Sequence, residues 1–138
     1  MTKSQKKAFT LIELLVVVII IGLLASIVAP KLFGKLDDAK VKTATAQIEL
    51  ISTALDTFRL DVNRYPTTEE GLKSLWKNNN IKNWNGKYLP KPLKADPWGN
   101  TYYYKETNGA ENDYELMSLG SDGKIGGNDK NRDISLWD

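Results

Sequence analysis

The sequence predicts an α+β fold: a long N-terminal α-helical spine, transmembrane and then amphipathic, packed on a small antiparallel β-sheet and followed by a glycine-rich C-terminal loop. Three observations predict it. Residues 14–29 are aliphatic throughout except for Gly22 and Ser26. After Pro30, apolar residues recur at alternating steps of three and four as far as Val62, the spacing of one helix face. Beyond residue 100, two short segments at 101–105 and 114–119 flank an Asn108-Gly109 reversal, and their tyrosines and threonine favour strands.

The first element is the apolar run. From Phe9 to Ala29 it has 21 residues, and at about 1.5 Å per residue a helix of that length spans roughly 30 Å, one hydrocarbon core. A cleavable secretory signal is the competing reading, because Lys3, Lys6 and Lys7 precede the run. The run is longer than an h-region, however, and Pro30-Lys31 follows it instead of a small-x-small site. A buried core helix is disfavoured, since no other segment is apolar and long enough to surround it.

Glu13 lies near the start of this run. A carboxylate costs about 2.5 to 3.5 kcal/mol at mid-bilayer and less at the interface, so a plain anchor gains little from one. It either snorkels to the head groups or awaits a cation from another chain.

Lys6-Lys7-Ala8, Phe9-Thr10-Leu11-Ile12-Glu13, the aliphatic run with Gly22 and Pro30, and the polar helix behind it resemble the class III signal of type IV pilins and type II secretion pseudopilins. The resemblance implies that residues 1–8 are a cleavable prepilin leader. A prepilin peptidase would cut between Ala8 and Phe9 and leave Phe9 N-methylated. Glu13 would then be the fifth residue of the mature chain, pairing with the N-terminal amine of a neighbouring subunit. The sequence departs from the family pattern at Ala8, where the family carries Gly.

The soluble remainder is about a hundred residues, enough for one modest core. The three leader lysines exceed the net charge of +2, and the other side chains sum to −1, with no basic patch of the kind nucleic acid requires. Lys31, Lys35, Lys40 and Lys42 follow the span, so lysine counts do not orient it. The chain has no cysteine and no histidine. Disulfides, thiol nucleophiles, the usual zinc sites and histidine-based catalysis are therefore excluded.

The second helix segment runs over 31–61, with Val41, Ala44, Ile48, Ile51, Leu55, Phe58 and Val62 on one stripe and Lys40, Lys42, Gln47, Glu49, Thr53, Asp56 and Arg59 opposite. The stripe is expected to pack on the domain behind it rather than in an independent coiled coil. Joined to the span, the helix would run some 50 residues, about 80 Å, with the junction loosened or kinked at Pro30, which has no amide to donate. Asn63-Arg64-Tyr65-Pro66 ends it, because a residue before proline is pushed out of the helical region. Thr67 and Glu70 then form a capping box for a short helix to about Trp76.

Residues 77–92 read as an irregular loop, with Trp84 a lid on the core. Asp96-Pro97-Trp98-Gly99-Asn100 is turn chemistry leading into the first strand. In the second strand Tyr114, Leu116 and Ser118 share a face. The tail from Glu106 onward carries eight acidic and three basic residues, with four glycines between 120 and 127. Calcium requires a loop that returns six to eight oxygens to one point. Gly, Asp and Asn also make ordinary surface loops, so composition leaves both readings open.

Three further stretches resemble the major pseudopilin family of type II secretion systems. They are Tyr65-Pro66-Thr67 with Gly71-Leu72, Asp96-Pro97-Trp98-Gly99 with Tyr102, and Ser118-Leu119-Gly120-x-Asp122-Gly123 with Gly126-Gly127, Asp133-Ile134 and Trp137. The resemblance implies a C-terminal metal-binding loop holding a structural Ca2+. Its ligands would come first from the side chains of Asp122 and Asp129 and the carbonyl of Leu119, and then from Asp133, Asn128 and the carbonyl of Lys124. With no disulfide, the ion would staple the tail.

The expected organisation is a leader at 1–8, a transmembrane and assembly helix at 9–30 and a periplasmic globular domain at 31–138. The resemblance implies a single-pass protein of the bacterial inner membrane and no enzyme activity. It implies a homo-oligomeric helical filament that drives export of folded proteins across the outer membrane, with minor pseudopilins, an inner-membrane assembly platform and the prepilin peptidase as partners. A type IV pilin or minor pseudopilin, and a monomeric membrane-anchored calcium-dependent binding domain, are the alternatives.

Overall fold

The structure is a computed structural model that describes residues 8–138, so Lys3, Lys6 and Lys7 of the expected leader lie outside the described residues. The element order is α1 (Leu11–Val62), a 3₁₀ turn (Leu72–Leu75), β1 (Tyr103–Glu106), β2 (Tyr114–Ser118), a second 3₁₀ turn (Asp129–Asn131) and β3 (Ile134–Ser135). The chain divides into two compact units, one ending at Asp37 and one running Asp38–Asp138.

In the first unit the helix has no packed face. Every large apolar side chain from Phe9 to Leu36 is exposed, the least exposed being Val16 and Leu36 at 48%. They lie all round the helix, and the segment is apolar and long enough to cross a membrane. An apolar surface on all sides requires lipid or other apolar helices around it. Helical structure continues without a break through Pro30, where loosening was expected. Pro30 has no amide to give to the carbonyl of Ser26, and the Ser26 hydroxyl donates to the Leu23 carbonyl at 2.7 Å.

In the second unit the helix buries the expected stripe. Ala44, Ile48, Ile51, Ala54, Leu55 and Phe58 are buried, and Val41 and Val62 pack at its ends. Asn63 closes the helix with φ +66°, its amide donating to the Arg59 carbonyl at 2.8 Å. The capping box forms as predicted: the Thr67 amide donates to Glu70 Oε1 at 2.8 Å and the Glu70 amide to Thr67 Oγ1 at 3.1 Å. The helix predicted after it is shorter, a single turn and then the 3₁₀ turn Leu72–Leu75. Gly71 at φ +62° interrupts the helical run between them.

Three antiparallel strands in the order β1-β2-β3 pack on the helix. Tyr103 pairs with Met117 and Glu106 with Tyr114, while Ser118 pairs with Ile134. Tyr114, Leu116 and Ser118 are the buried face of β2, as the alternation predicts. The Tyr114 hydroxyl lies 3.0 Å from Ser52 Oγ. Residues 77–92 form no regular element, and Trp84 covers the core with its indole N–H donating to the Ser74 carbonyl at 2.6 Å.

Candidate functional site

Two sites follow from the residues singled out above, one at the start of α1 and one in the C-terminal loop. Ala8, Phe9 and Thr10 precede the helix and are exposed, so the expected scissile bond is accessible. Helices begin with unpaired amides, and here Thr10 and Glu13 satisfy two of them reciprocally. The Glu13 amide donates to Thr10 Oγ1, and the Thr10 amide donates to Glu13 Oε2, both at 3.2 Å. This is a capping box, and it places the carboxylate at the positive end of the helix. Glu13 Oε1 has no hydrogen bond among the described residues and is available to a cation. The Thr-x-x-Glu spacing at residues 10–13 is the sequence signal for this box.

The C-terminal loop is fastened at both ends. Buried Asp96 accepts the Trp98 and Asn100 amides on Oδ1 at 3.1 and 2.8 Å, and the hydroxyl of buried Ser118 on Oδ2 at 2.7 Å. Asn100 Nδ2 then donates to the Gly120 carbonyl at 3.2 Å. The turn at 96–100 thus holds the residue on which the loop departs. Where the loop returns, a Cβ at Gly127 would clash with the Asn131 carbonyl, and one at Gly120 would meet the Arg132 carbonyl at 2.7 Å. Both glycines have positive φ, so side chains are excluded by space and by backbone conformation.

Within the loop, Asp122 and Asp129 are exposed, and Asp122 Oδ1 accepts the Lys124 amide at 3.1 Å. Asn128 is exposed and leads into the 3₁₀ turn that Asp129 opens. Asp133 is half-buried, and its Oδ2 accepts the Gly126 amide at 2.7 Å. Its Oδ1 is buried without a hydrogen-bond partner among the described residues. Among the described residues no three carboxylates converge on one point. A hard cation here would therefore take much of its shell from carbonyls such as those of Leu119 and Lys124. The orphaned Asp133 oxygen is the observation that fits such an ion, because a buried unpaired carboxylate oxygen is costly. The sequence ranked Asp133 behind Asp122 and Asp129, and the structure makes it the inward-facing member of the set.

The family described as type II secretion system protein G matches residues 31–137, and the prokaryotic N-terminal methylation motif matches residues 3–29. The chain belongs to the type II secretion system protein G family. It is 45% identical to the type II secretion system core protein G of Pseudomonas aeruginosa, over 100% of this chain and 99% of that protein. With its Escherichia coli K12 counterpart it shares 40% identity over 97% of this chain and 92% of that one. The crystal structure of the major pseudopilin from the type 2 secretion system of enterohaemorrhagic Escherichia coli superposes with a TM-score of 0.62 at 34% identity, covering 78% of this chain and 95% of the other. As a member of this family the chain is a structural pseudopilin and not an enzyme. Asp96 accordingly serves a turn and a loop anchor, with both oxygens occupied by hydrogen bonds.

Proposed function

We propose that this chain is the major subunit of a periplasmic type II secretion pseudopilus, polymerising through its N-terminal helix to drive folded proteins across the outer membrane. The observation that carries this reading is the succession, in one chain, of the methylation motif at 3–29 and the protein G match at 31–137. The helix 9–30 is held in the inner membrane with the globular part in the periplasm. Cleavage after Ala8 frees the Phe9 amine, and Glu13 of a neighbouring copy receives it. Until assembly, the cap with Thr10 holds the carboxylate at the helix start. In the polymer the exposed apolar helices cover one another. Minor pseudopilins, an inner-membrane platform and the prepilin peptidase complete the machinery.

The C-terminal loop is proposed to hold calcium through Asp133, Asp122 and Asp129, Asn128 and the carbonyls of Leu119 and Lys124. The ion, when bound, supplies loop-folding free energy and no chemistry. The residues already fastened to Asp96 and Asn100 fix one end of the loop, and Asp133 fixes the other next to β3.

The test is deletion of the gene in its own host. Exoproteins should accumulate in the periplasm while surface fibres persist, and the wild-type gene should restore secretion where Glu13→Leu does not. Unchanged secretion in the deletion strain would overturn the reading, and loss of surface fibres would turn it towards a type IV pilin.

A further inference from the structure

Residues 71–95 contain six lysines, Lys73, Lys77, Lys82, Lys87, Lys91 and Lys94, and no acidic residue. All six are exposed. Neither of the ion pairs among the described residues, Arg59–Asp113 and Arg64–Glu70, involves any of them. Residues 106–138 carry the reverse balance, eight acidic side chains against three basic ones. Two segments of one small domain therefore hold large charges of opposite sign.

Contacts with α1 place these segments on opposite flanks of the helix. The lysine-rich segment packs where Thr43 and Gln47 line a groove with residues 89–97, and where Asp61 accepts the Tyr88 hydroxyl at 2.7 Å. The sheet and tail pack where Val41 and Thr45 line a groove with residues 132–138, where Ser52 meets Tyr114, and where Arg59 reaches Asp113 at 3.8 Å. At about 100° per residue, with buried Ala44 as zero, Thr43, Gln47 and Asp61 fall at about −60 to −100°, whereas Val41, Thr45, Ser52 and Arg59 fall at about +60 to +100°. The two segments thus meet α1 on opposite sides of its buried stripe.

We infer that the lysine flank of one copy docks on the acidic sheet-and-tail flank of the next copy. The inference rests on the polymer reading above and names a surface of the globular domain that joins its subunits. Complementary patches on opposite sides of one subunit cannot both be satisfied in a two-fold pair; they make a heterologous contact that repeats without closing, which is the contact of a filament. Opposite potentials also set orientation and register between copies. Anionic lipid or an acidic secreted protein would explain the lysines but leave the acidic flank without a purpose. A calcium ion in the loop lowers the acidic charge without changing its sign.

The experiment uses the full chain in its host's membranes and cross-linking between introduced cysteines, since the chain has none of its own. Asn85→Cys with Asn108→Cys reports the flank contact, and Leu24→Cys reports association of the apolar helices independently. The first variant set reverses the basic flank by Lys82→Glu, Lys87→Glu and Lys91→Glu. The second reverses the acidic flank by Glu111→Lys, Glu115→Lys and Asp138→Lys, leaving the candidate calcium ligands intact. Each set alone should reduce the flank cross-linked ladder about tenfold through several screened pairs. Co-expression of the two sets should restore it, because acidic-flanked and basic-flanked copies can alternate, and that recovery also shows that both variants fold. Undiminished ladders for the single sets, or no recovery on mixing, would overturn the inference; the second result would assign the lysines to lipid or cargo. A helix ladder at Leu24→Cys without a flank ladder would defeat the inference alone, whereas absence of both would defeat the polymer reading itself.

Discussion

Thr10 and Glu13 exchange two hydrogen bonds at 3.2 Å across the first turn of α1, so the carboxylate expected to bind a neighbouring amine already has a partner inside its own chain. The two roles can be separated by mutation. Glu13→Gln keeps an oxygen for the Thr10 amide but removes the charge, whereas Thr10→Ala removes one cap bond and leaves the charge. A hydrogen bond to a charged group contributes about 1.5 to 3 kcal/mol. Glu13→Gln should therefore reduce filament formation roughly ten- to a hundredfold at unchanged membrane levels. Thr10→Ala should cost about 1 kcal/mol of helix start and leave most assembly intact. Cross-linking through a single introduced cysteine in the apolar helix measures both, and equal losses for the two variants would mean that the cap, not the charge, is what assembly needs.

Asp96 holds three donors: the Trp98 and Asn100 amides close the 96–100 turn, and the Ser118 hydroxyl ties that turn to the departing C-terminal loop. Asp96→Ala would strand the buried Ser118 hydroxyl and two amides. Unsatisfied buried groups cost about 1 to 3 kcal/mol each, so a loss of about 3 kcal/mol is expected after partial rehydration. Thermal unfolding of the full chain in detergent should show it as a fall in Tm, with Asp96→Asn intermediate because its amide oxygen can still accept from Trp98 and Asn100.

What the sequence made legible was whatever repeats or punctuates. The stripe from Val41 to Val62, the Thr67–Glu70 box and the inward alternation of Tyr114, Leu116 and Ser118 all appear in the structure at the expected residues. β3 was not legible, because Ile134–Ser135 is two residues long and shows no period; its partner Ser118 defines it only through the fold. Gly71 illustrates the opposite failure. A capping box promises a helix, but it does not say how long one, and a glycine at positive φ ended the run after a turn. In the loop, motif spacing located the candidate calcium ligands, yet which carboxylate faces inward depends on the path back to β3. That path leaves Oδ1 of Asp133 buried and without a hydrogen-bond partner among the described residues.

Calcium should act through Asp133 above the other acidic residues. With the ion at about a hundred times its dissociation constant, ligation adds about 2.7 kcal/mol to stability. For a domain of this size, chelation should then lower Tm by roughly 10 °C. Asp133→Asn should abolish most of that response, whereas Glu111→Gln, outside the loop, should preserve it. Thermal melts with calcium and with chelator decide the matter. A wild-type curve indifferent to calcium would remove the ion from the account of the tail.

Glu70 provides an acid-sensitive contact away from both sites. Arg64 donates to its two oxygens at 2.6 and 3.1 Å, and the Thr67 amide adds a third bond. Hydrogen bonding to Arg64, in the main, holds this carboxyl below the usual range against the opposing effect of burial. Its folded-state value lies below its unfolded value, about 4.3, so its contribution to stability is complete above the unfolded value. That contribution is lost as pH falls through the folded one. The side chain is 21% exposed, and solvent screening keeps the effect modest. Wild-type Tm should therefore fall between pH 6 and pH 3 by more than that of Glu70→Gln, which cannot titrate there. Because the Glu70→Gln side chain can still accept the Thr67 amide, the difference between the two melting profiles isolates the ion pair from the cap. Parallel profiles over that range would mean that Arg64 contributes only as one more donor to the turn.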